Sequence, residues 1–213
     1  LTPGTNVDAS STAHNLGFIF DSHLSYYDQI SALTKVACFF HIRDLCRIQP
    51  FLDTITAARI ANSLAQSKLD YCNSLLLNLP SAQTNRLQLV LNSAARAVTK
   101  TPKFHHITPI LKSLHWLNIN ERIQYKVLSL TYKTLNSSRP AYLHSLVTVN
   151  HSRSTRSSSL VTLNRPSNPS HLQITKRSFF HTAPATWNSL PHEFRPLAQP
   201  SFSSTLAISP TYF

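Results

Sequence analysis

The chain has only two glycines among its 213 residues, Gly4 and Gly17, and it has no methionine. Loops that cradle phosphate groups need several closely spaced glycines, so nucleotide binding by a glycine-rich loop is excluded. Since even position 1 is not methionine, we expect the chain to be cut from a longer reading frame. Chemistry carried by a preceding segment would then be absent from these residues.

Cysteine is also scarce. Cys38, Cys46 and Cys72 are odd in number and form no CxxC pair, which argues against a disulfide framework and against a structural zinc site. A reducing compartment fits this usage. No apolar run approaches the ~18 residues needed to cross a bilayer, and the N-terminus carries no basic-then-apolar signal. We therefore expect an intracellular protein, of the nucleus or cytoplasm, without a membrane partner.

Acidic residues are few and lie mostly in the first part of the chain. There are 20 Lys and Arg against eight Asp and Glu, a net charge of +12, and the only acid after residue 121 is Glu193. A one-sided basic segment attracts a polyanion, most often nucleic acid, through counterion release. Basic surfaces also meet acidic proteins and anionic membranes, so the charge indicates a class of partner and not its identity.

Apolar residues make up 42% of the chain, enough for a hydrophobic core, and their spacing is mainly helical. Residues 15–20 predict a strand, with Asp21 as the capping residue of a helix over 23–47. The apolar positions of that helix are Ile30, Leu33, Ala37 and Phe40. Asp53 is the next predicted cap, and an almost unbroken helix is predicted from there to Pro80. Its predicted buried stripe consists of Ala58, Ala61, Leu64, Leu69, Cys72 and Leu76.

Shorter helices are predicted in the rest of the chain. Ser81 begins one that ends near residue 100, and its inward residues are Leu87, Val90, Leu91, Ala94 and Val98. Others are predicted near 108–114, 120–135 and 141–147. Four parts are therefore predicted: a strand region (1–22), a helical domain (23–148), a Ser/Arg/Pro-rich linker or loop containing the strand "SLVTL" (149–172), and a small basic C-terminal segment (173–213). That last segment is predicted to be irregular α+β, with one short strand and one short helix, in a mainly α fold.

Three groups of residues invite a catalytic or metal-binding interpretation. Asp21 and His23 are in the order Asp-x-His, whereas an iron facial triad needs His-x-Asp/Glu with a distant His, so Asp21 is interpreted as a helix cap. Cys72 falls on an apolar helical stripe, where free cysteine packs as a small hydrophobe. The group of His105, His106 and His115 lacks zinc-protease spacing. Capping, ring packing and some phosphate contact are expected of it, and neither a metal nor a cofactor is predicted.

Basic residues interleaved with aromatic ones are the remaining pattern, and it suits contacts to backbone phosphates together with base stacking. The predicted nucleic-acid-binding residues are Lys100, Lys103, Arg122, Lys126, Lys133, Arg153, Arg156, Lys176 and Arg177. Their spacing predicts that Arg122, Lys126 and Lys133 share one helical face. The same pattern fits a face that binds nucleic acid and a face that is charged only because solvent surrounds it. The predicted core anchors are Trp116, Tyr125 and Trp187.

Several sequence blocks, in order, resemble one family. They are "NLGFIFDSHLS", "SKLDYCNSLLLNLP", "RLQLVLNSAARAVTKT", "HITPILKSLHWLNINERIQYKVLSLTYKTLN", "PAYLHSLV" and "APATWNSLP". Over about residues 14–202 the chain resembles the region downstream of the catalytic core in reverse transcriptases of non-LTR retrotransposons (LINEs) of the jockey superfamily. The resemblance implies that "LGFIFD" ends a palm and that the following helices form a thumb that grips the template and primer duplex.

The resemblance also implies what this chain does not do. In that family the catalytic Asp residues that hold two metal ions lie upstream, and this chain has no adjacent Asp pair, so it is not expected to be an enzyme by itself. The implied partners are RNA or an RNA–DNA hybrid and the rest of the parent polyprotein. The chain departs from the family at Leu91, where Gln is usual, at Asn118, where Pro is usual, and in its ending "SFSSTLAISPTYF".

Two alternatives stay open at this point. The first is a structural or protein-interaction remnant without specific nucleic-acid binding. The second follows from the segment around "LGFIFDSHLS", which is also similar to a small N-terminal domain of an AlkB-type tRNA-modifying dioxygenase and methyltransferase. The residues that such chemistry needs to bind iron and oxoglutarate are not visible in this chain.

Overall fold

The computed structural model describes residues 10–150, 160–167 and 172–195, with backbone only for 36–38. The described chain is mainly α-helical and has a two-stranded antiparallel hairpin near its N-terminus, which confirms the predicted fold class. Two compact units divide it: unit 1 comprises Leu1–Cys72 and Leu79–His105, and unit 2 comprises Asn73–Asn78 and His106–Phe213. Within the described ranges no helix is long and apolar enough to cross a membrane.

The hairpin of unit 1 consists of β1 (Thr12–Asn15) and β2 (Phe18–Asp21). Between them the chain reverses at Leu16 and Gly17, whose φ angles of 48° and 81° suit the two-residue turn of a twisted hairpin. No atom lies within 4 Å of the place a Gly17 Cβ would take, so glycine is favoured by its backbone conformation and not by lack of space. The strand predicted over residues 15–20 is therefore wrong in its limits, because the turn lies inside it.

Asp21 connects β2 to helix α1 (Tyr27–Ala32). Its carboxylate oxygens accept hydrogen bonds from the backbone N–H groups of Ser25 at 2.8 Å and Tyr26 at 2.7 Å. Burial raises the pKa of this carboxyl, but the hydrogen bonds outweigh it and leave the pKa below its usual value. Asp21 is therefore structural, as interpreted, but it is not the predicted helix cap: α1 begins at Tyr27, and Asp21 holds the turn that precedes it. His23, which was considered with it, is exposed.

We expect the substitution Asp21→Ala to lower the free energy of unfolding by about 1 kcal/mol at neutral pH, because two backbone donors lose their acceptor. A carboxyl whose pKa is lower in the folded than in the unfolded chain stabilises the fold above the unfolded pKa. That contribution disappears as the pH falls through the folded pKa. In urea unfolding, the difference in free energy of unfolding between wild type and Asp21→Ala should therefore narrow below pH 3.8, the usual pKa of Asp. His23→Ala is the control, and an equal loss in that variant would contradict the role of the Asp21 carboxylate in holding this turn.

The rest of unit 1 is a group of short helices around one long helix. Its helical elements are α1, a π-helical segment (Leu33–Cys38), α2 (Phe39–Ile48), a 3-10 turn (Gln49–Phe51), α3 (Thr54–Ala61), a second π-helical segment (Asn62–Gln66), α4 (Ser67–Asp70) and α5 (Ser81–Thr99). Asp53 caps α3 as predicted, since its Oδ2 accepts from Ile55 N and Thr56 N, each at 3.1 Å. Helix α5 contacts α1, α2 and α3, and its inward positions Leu87, Leu91, Ala94 and Val98 are buried as predicted. Val90, predicted with them, is only half-buried.

The two π-helical segments change which residues face the core. A π-turn closes its hydrogen bond over five residues, so it takes up more residues per turn than an α-helix. The buried stripe from α3 to α4 accordingly consists of Ala57, Ala61, Ala65 and Leu69, spaced four apart. The predicted stripe is wrong at Leu64, which is exposed. It is also wrong at Cys72, which is half-buried, follows the end of α4 and has a φ of 52°.

Unit 2 is arranged around a second long helix. Its elements are a 3-10 turn (Asn73–Leu76), α6 (Ile107–Ser113), α7 (Ile119–Ser137), α8 (Ala141–His144), α9 (Gln173–Arg177), α10 (Phe179–Asn188) and a 3-10 turn (His192–Phe194). Helix α7 packs against α10 and against the first of these turns. The helices predicted near 108–114 and 120–135 are confirmed. The short strand predicted before Trp187 is wrong, because α9 stands in its place.

The core of unit 2 includes residues of the predicted linker. Val161 and Leu163 are buried with Trp187 in one apolar cluster, and Leu128 of α7 packs against it. Leu163 pairs with Val149 in an antiparallel bridge, so the described part of the predicted strand "SLVTL" is extended and paired. Residues 160–163, within the predicted linker or loop, are therefore packed in unit 2. Trp187 and Trp116 are buried, as predicted for core anchors.

Candidate nucleic-acid interface

Helix α7 begins with a capping box that uses its only acidic residue. The Glu121 Oε2 atom accepts from the Asn118 backbone N–H at 2.8 Å, and the Asn118 side chain accepts from the backbone N–H of Glu121. Asn118 thus supplies the cap of this helix. From Arg122 to Ser137 the helix carries no further acid.

The buried side of α7 fixes how the helix is turned about its axis. Its buried residues are Ile119, Ile123, Val127, Thr131 and Thr134. The hydroxyl of Thr131 donates to Val127 O and that of Thr134 to Leu130 O, each at 2.8 Å, so both buried hydroxyls are hydrogen-bonded. The opposite side of the helix faces solvent.

The basic face of α7 consists of Arg122, Lys126 and Lys133. Arg122 is half-buried, and both lysines are exposed. At 3.6 residues per turn the three positions lie within about 40° of one another around the axis and span about 16 Å along it. Lys126 and Lys133 have no ion-pair partner in the described part of the chain. The prediction that these three residues share one face is confirmed.

Two tyrosines lie on the side of α7 opposite its buried residues, about 90° around the axis from the basic face, and one of them corrects a prediction. Tyr125 and Tyr132 are 40% and 38% exposed and stand seven residues apart. Tyr125 is not the core anchor that was predicted. It lies two residues from both Ile123 and Val127, about 200° around the helix from each, so it cannot share their buried side.

The other predicted phosphate contacts fall into separate groups. Lys100 and Lys103 are exposed on the loop that follows α5 in unit 1. In unit 2, Lys176 is exposed on α9, and Arg177 beside it is half-buried, with its Nε donating to Gln173 O at 3.4 Å. Arg153 and Arg156 lie outside the described residues. The described residues of the predicted set therefore belong to two different units.

An exposed aromatic surface on α2 was missed by the sequence analysis. The rings of Phe39 and Phe40 are both exposed, with centroids 6.0 Å apart in an edge-to-face arrangement. The Arg43 guanidinium lies 5.8 Å from the Phe40 ring centroid, a cation–π distance. The spacing of Ile30, Leu33, Ala37 and Phe40 suggested one continuous apolar side, but the π-helical segment before Phe39 shifts the later positions. A signal was present, since two aromatic residues directly precede "HIRDLCR", a segment with two arginines.

Unit 1 also contains an open groove of about 600 Å³ beside the hairpin. Two of its polar lining groups are engaged within the protein: Gln29 Oε1 accepts from Ile19 N at 3.0 Å, and the Tyr71 hydroxyl donates to Leu16 O. Burial, followed by the neighbouring Cys72, raises the pKa of Tyr71. These groups join the hairpin to α1 and α4, so their role is structural.

Comparisons with known proteins add no assignment to these surfaces. No protein-family model, no curated protein and no solved structure matches the chain. Among the His, Cys, Asp and Glu side chains that the structure describes, no three lie close enough to hold a metal ion. A function for this chain therefore has to be inferred from its own residues and their geometry.

Proposed function

We propose that this chain is a non-catalytic segment of a retrotransposon RNA-directed DNA polymerase, and that it binds RNA or an RNA–DNA hybrid through the basic face of α7. The sequence blocks quoted above support the origin. The arrangement of α7 supports the binding mode. Polymerase chemistry would belong to the parent polyprotein, since two-metal phosphoryl transfer needs clustered carboxylates and this chain has no adjacent Asp pair.

The observation that carries the binding proposal is the row of three bases on α7. A rigid helix presents them on one side, its single acid is engaged in the cap, and its apolar side is buried in unit 2. A duplex carries one phosphate per strand for every 3.4 Å or so of its axis, so a row about 16 Å long can follow several phosphates. Contacts of this kind position the nucleic acid without reading its sequence.

The whole of unit 2 favours the same partner. Its described residues include nine bases and two acids. The bases are Lys112, Arg122, Lys126, Lys133, Arg139, Arg165, Lys176, Arg177 and Arg195. A surplus of positive charge on a small unit raises the local concentration of a polyanion and speeds its association.

A salt series tests the proposal. Fluorescence anisotropy of a labelled blunt RNA–DNA hybrid should show tight binding at low salt and a linear fall of log K with log salt concentration. Each phosphate contact contributes a slope of about −0.9, so three contacts predict a slope of about −3. A folded chain that fails to bind, or binds without salt dependence, would reject the proposal.

The alternative of a protein-interaction segment is favoured by the exposed aromatic residues of α2. Phe39, Phe40 and, just beyond the helix, Phe51 are all exposed, and apolar surface of this kind is typical of protein contacts. In the polyprotein this surface would contact the rest of the chain. Absence of salt-dependent nucleic-acid binding, together with burial of Phe39 and Phe40 in a longer polypeptide, would favour this alternative.

A further inference from the structure

Residues 100–105 form a tight loop that is fixed to the C-terminal end of α5. Lys100 ends the helix with a φ of 55°, and its N–H donates to Arg96 O, as does the N–H of Thr101 at 3.2 Å. A turn follows in which His105 N donates to Pro102 O at 3.3 Å. The Arg96 guanidinium then donates to His105 O at 3.2 Å. Both ends of the loop are thus hydrogen-bonded to the same helix, so its conformation is set before any ligand arrives.

The tip of this loop carries an aromatic ring in solvent. Phe104 is 83% exposed, and its ring centroid lies 4.9 Å from that of His105 at an interplanar angle of 33°. Because the loop is fixed and Phe104 lies at its tip, most of the apolar surface of this side chain is exposed to solvent and not packed against the protein. Phe104 offers that surface to a flat, apolar partner at little cost in conformational entropy.

The charge around Phe104 indicates the nature of that partner. Lys100 and Lys103 are exposed on the same loop and have no ion-pair partner among the residues described. Between Asp70 and Glu121 the sequence has five Lys or Arg and no acid. A flat apolar group with a negative charge next to it fits this surface. A nucleotide has both: its base can stack on the Phe104 ring, and its phosphate can contact the two lysines.

We propose that Phe104, Lys100 and Lys103 form a stacking site for an unpaired nucleotide. The site deepens the proposed function, on which it rests, by naming the substrate class: RNA or a hybrid with a single-stranded extension. Bases inside a duplex are covered on both faces by their neighbours, so apart from the two terminal pairs only an unpaired base can place a face on the Phe104 ring. Stacking of this kind is tolerant of sequence, which agrees with the absence of a base-reading pattern.

Two labelled RNA–DNA hybrids test this site. One is blunt, and the other carries a short single-stranded RNA extension containing 2-aminopurine, whose fluorescence is quenched by stacking. The full chain should bind the extended hybrid at least about fivefold more tightly than the blunt one and quench the probe. Phe104→Ala should remove both effects and leave the affinity for the blunt hybrid unchanged, whereas Phe104→Trp should retain them. Leu89→Ala, at an exposed apolar residue of α5, is the matched control and should behave as wild type.

The outcomes separate this site from the α7 proposal. Equal affinities for the two hybrids, or quenching that survives Phe104→Ala, would overturn the stacking site. Salt-dependent binding of the blunt hybrid would in that case still support the α7 proposal. Quenching that depends on Phe104, without salt-dependent binding of the blunt hybrid, would reject the α7 proposal and support the stacking site. No response to either hybrid by the folded chain would overturn both.

Discussion

Replacing Arg122, Lys126 and Lys133 together with alanine should weaken binding of a blunt RNA–DNA hybrid about a hundredfold near 0.1 M salt. The three side chains form one row along α7, in which both lysines are exposed and Arg122 is half-buried. Loss of three phosphate contacts should also make the salt slope less steep by about three units, since each contact releases close to one counterion. The affinity and the salt slope both come from the same anisotropy titrations. The slope is the more specific measure of lost phosphate contacts.

A second triple variant controls for charge alone. Lys35→Ala, Arg59→Ala and Lys68→Ala remove the same number of charges from exposed positions of unit 1. Alanine is a good helix former, and the α7 variant leaves the cap of Asn118 and Glu121 intact, so circular dichroism should show unchanged helix content in both proteins. If the two triple variants lose affinity equally, binding follows net charge and the role given to α7 is wrong.

The helix at the centre of the candidate interface was predictable because its local signals agree. Its apolar residues recur at helical spacing, which predicted the helix near 120–135, whereas the capping box of Asn118 and Glu121 was not recognised in the sequence. The positions of Arg122, Lys126 and Lys133 then follow from helix geometry alone. Tyr125 was assigned to the wrong side because its residue type, a large aromatic, was given more weight than its place in the helical period.

Other elements could not be predicted because the features that determine them are not local. The π-helical segments before α2 and α4 shift the helical register, and no residue in them signals a π-turn. This shift exposes Phe40 and Leu64. Leu163 pairs with Val149 and packs on Trp187 through contacts distant in sequence, so its segment looked like a linker. Periodicity describes each segment alone and cannot identify such pairings.

Trp187→Ala should destabilise unit 2 by about 3 to 5 kcal/mol, the usual cost of removing a large buried aromatic side chain. Trp187 is 4% exposed and lies in the cluster that joins α10 to Val161, Leu163 and α7. Its Nε1–H donates to Val161 O at 3.0 Å, so the variant also leaves a carbonyl without this donor. Trp187→Phe keeps most of the ring packing but not that hydrogen bond, and should cost about 1 to 3 kcal/mol.

Urea unfolding followed by the fluorescence of Trp116 measures this effect in unit 2, because Trp116 lies in that unit and is retained in both variants. Phe180→Ala is the matched control: Phe180 is on the same helix but largely exposed, so its loss should change the free energy of unfolding little. A Trp187→Ala protein no less stable than this control would mean that α10 does not hold residues 160–163 against α7. Because that packing buries the apolar side of α7, a loosened unit 2 should also bind the hybrid more weakly while the salt slope is retained.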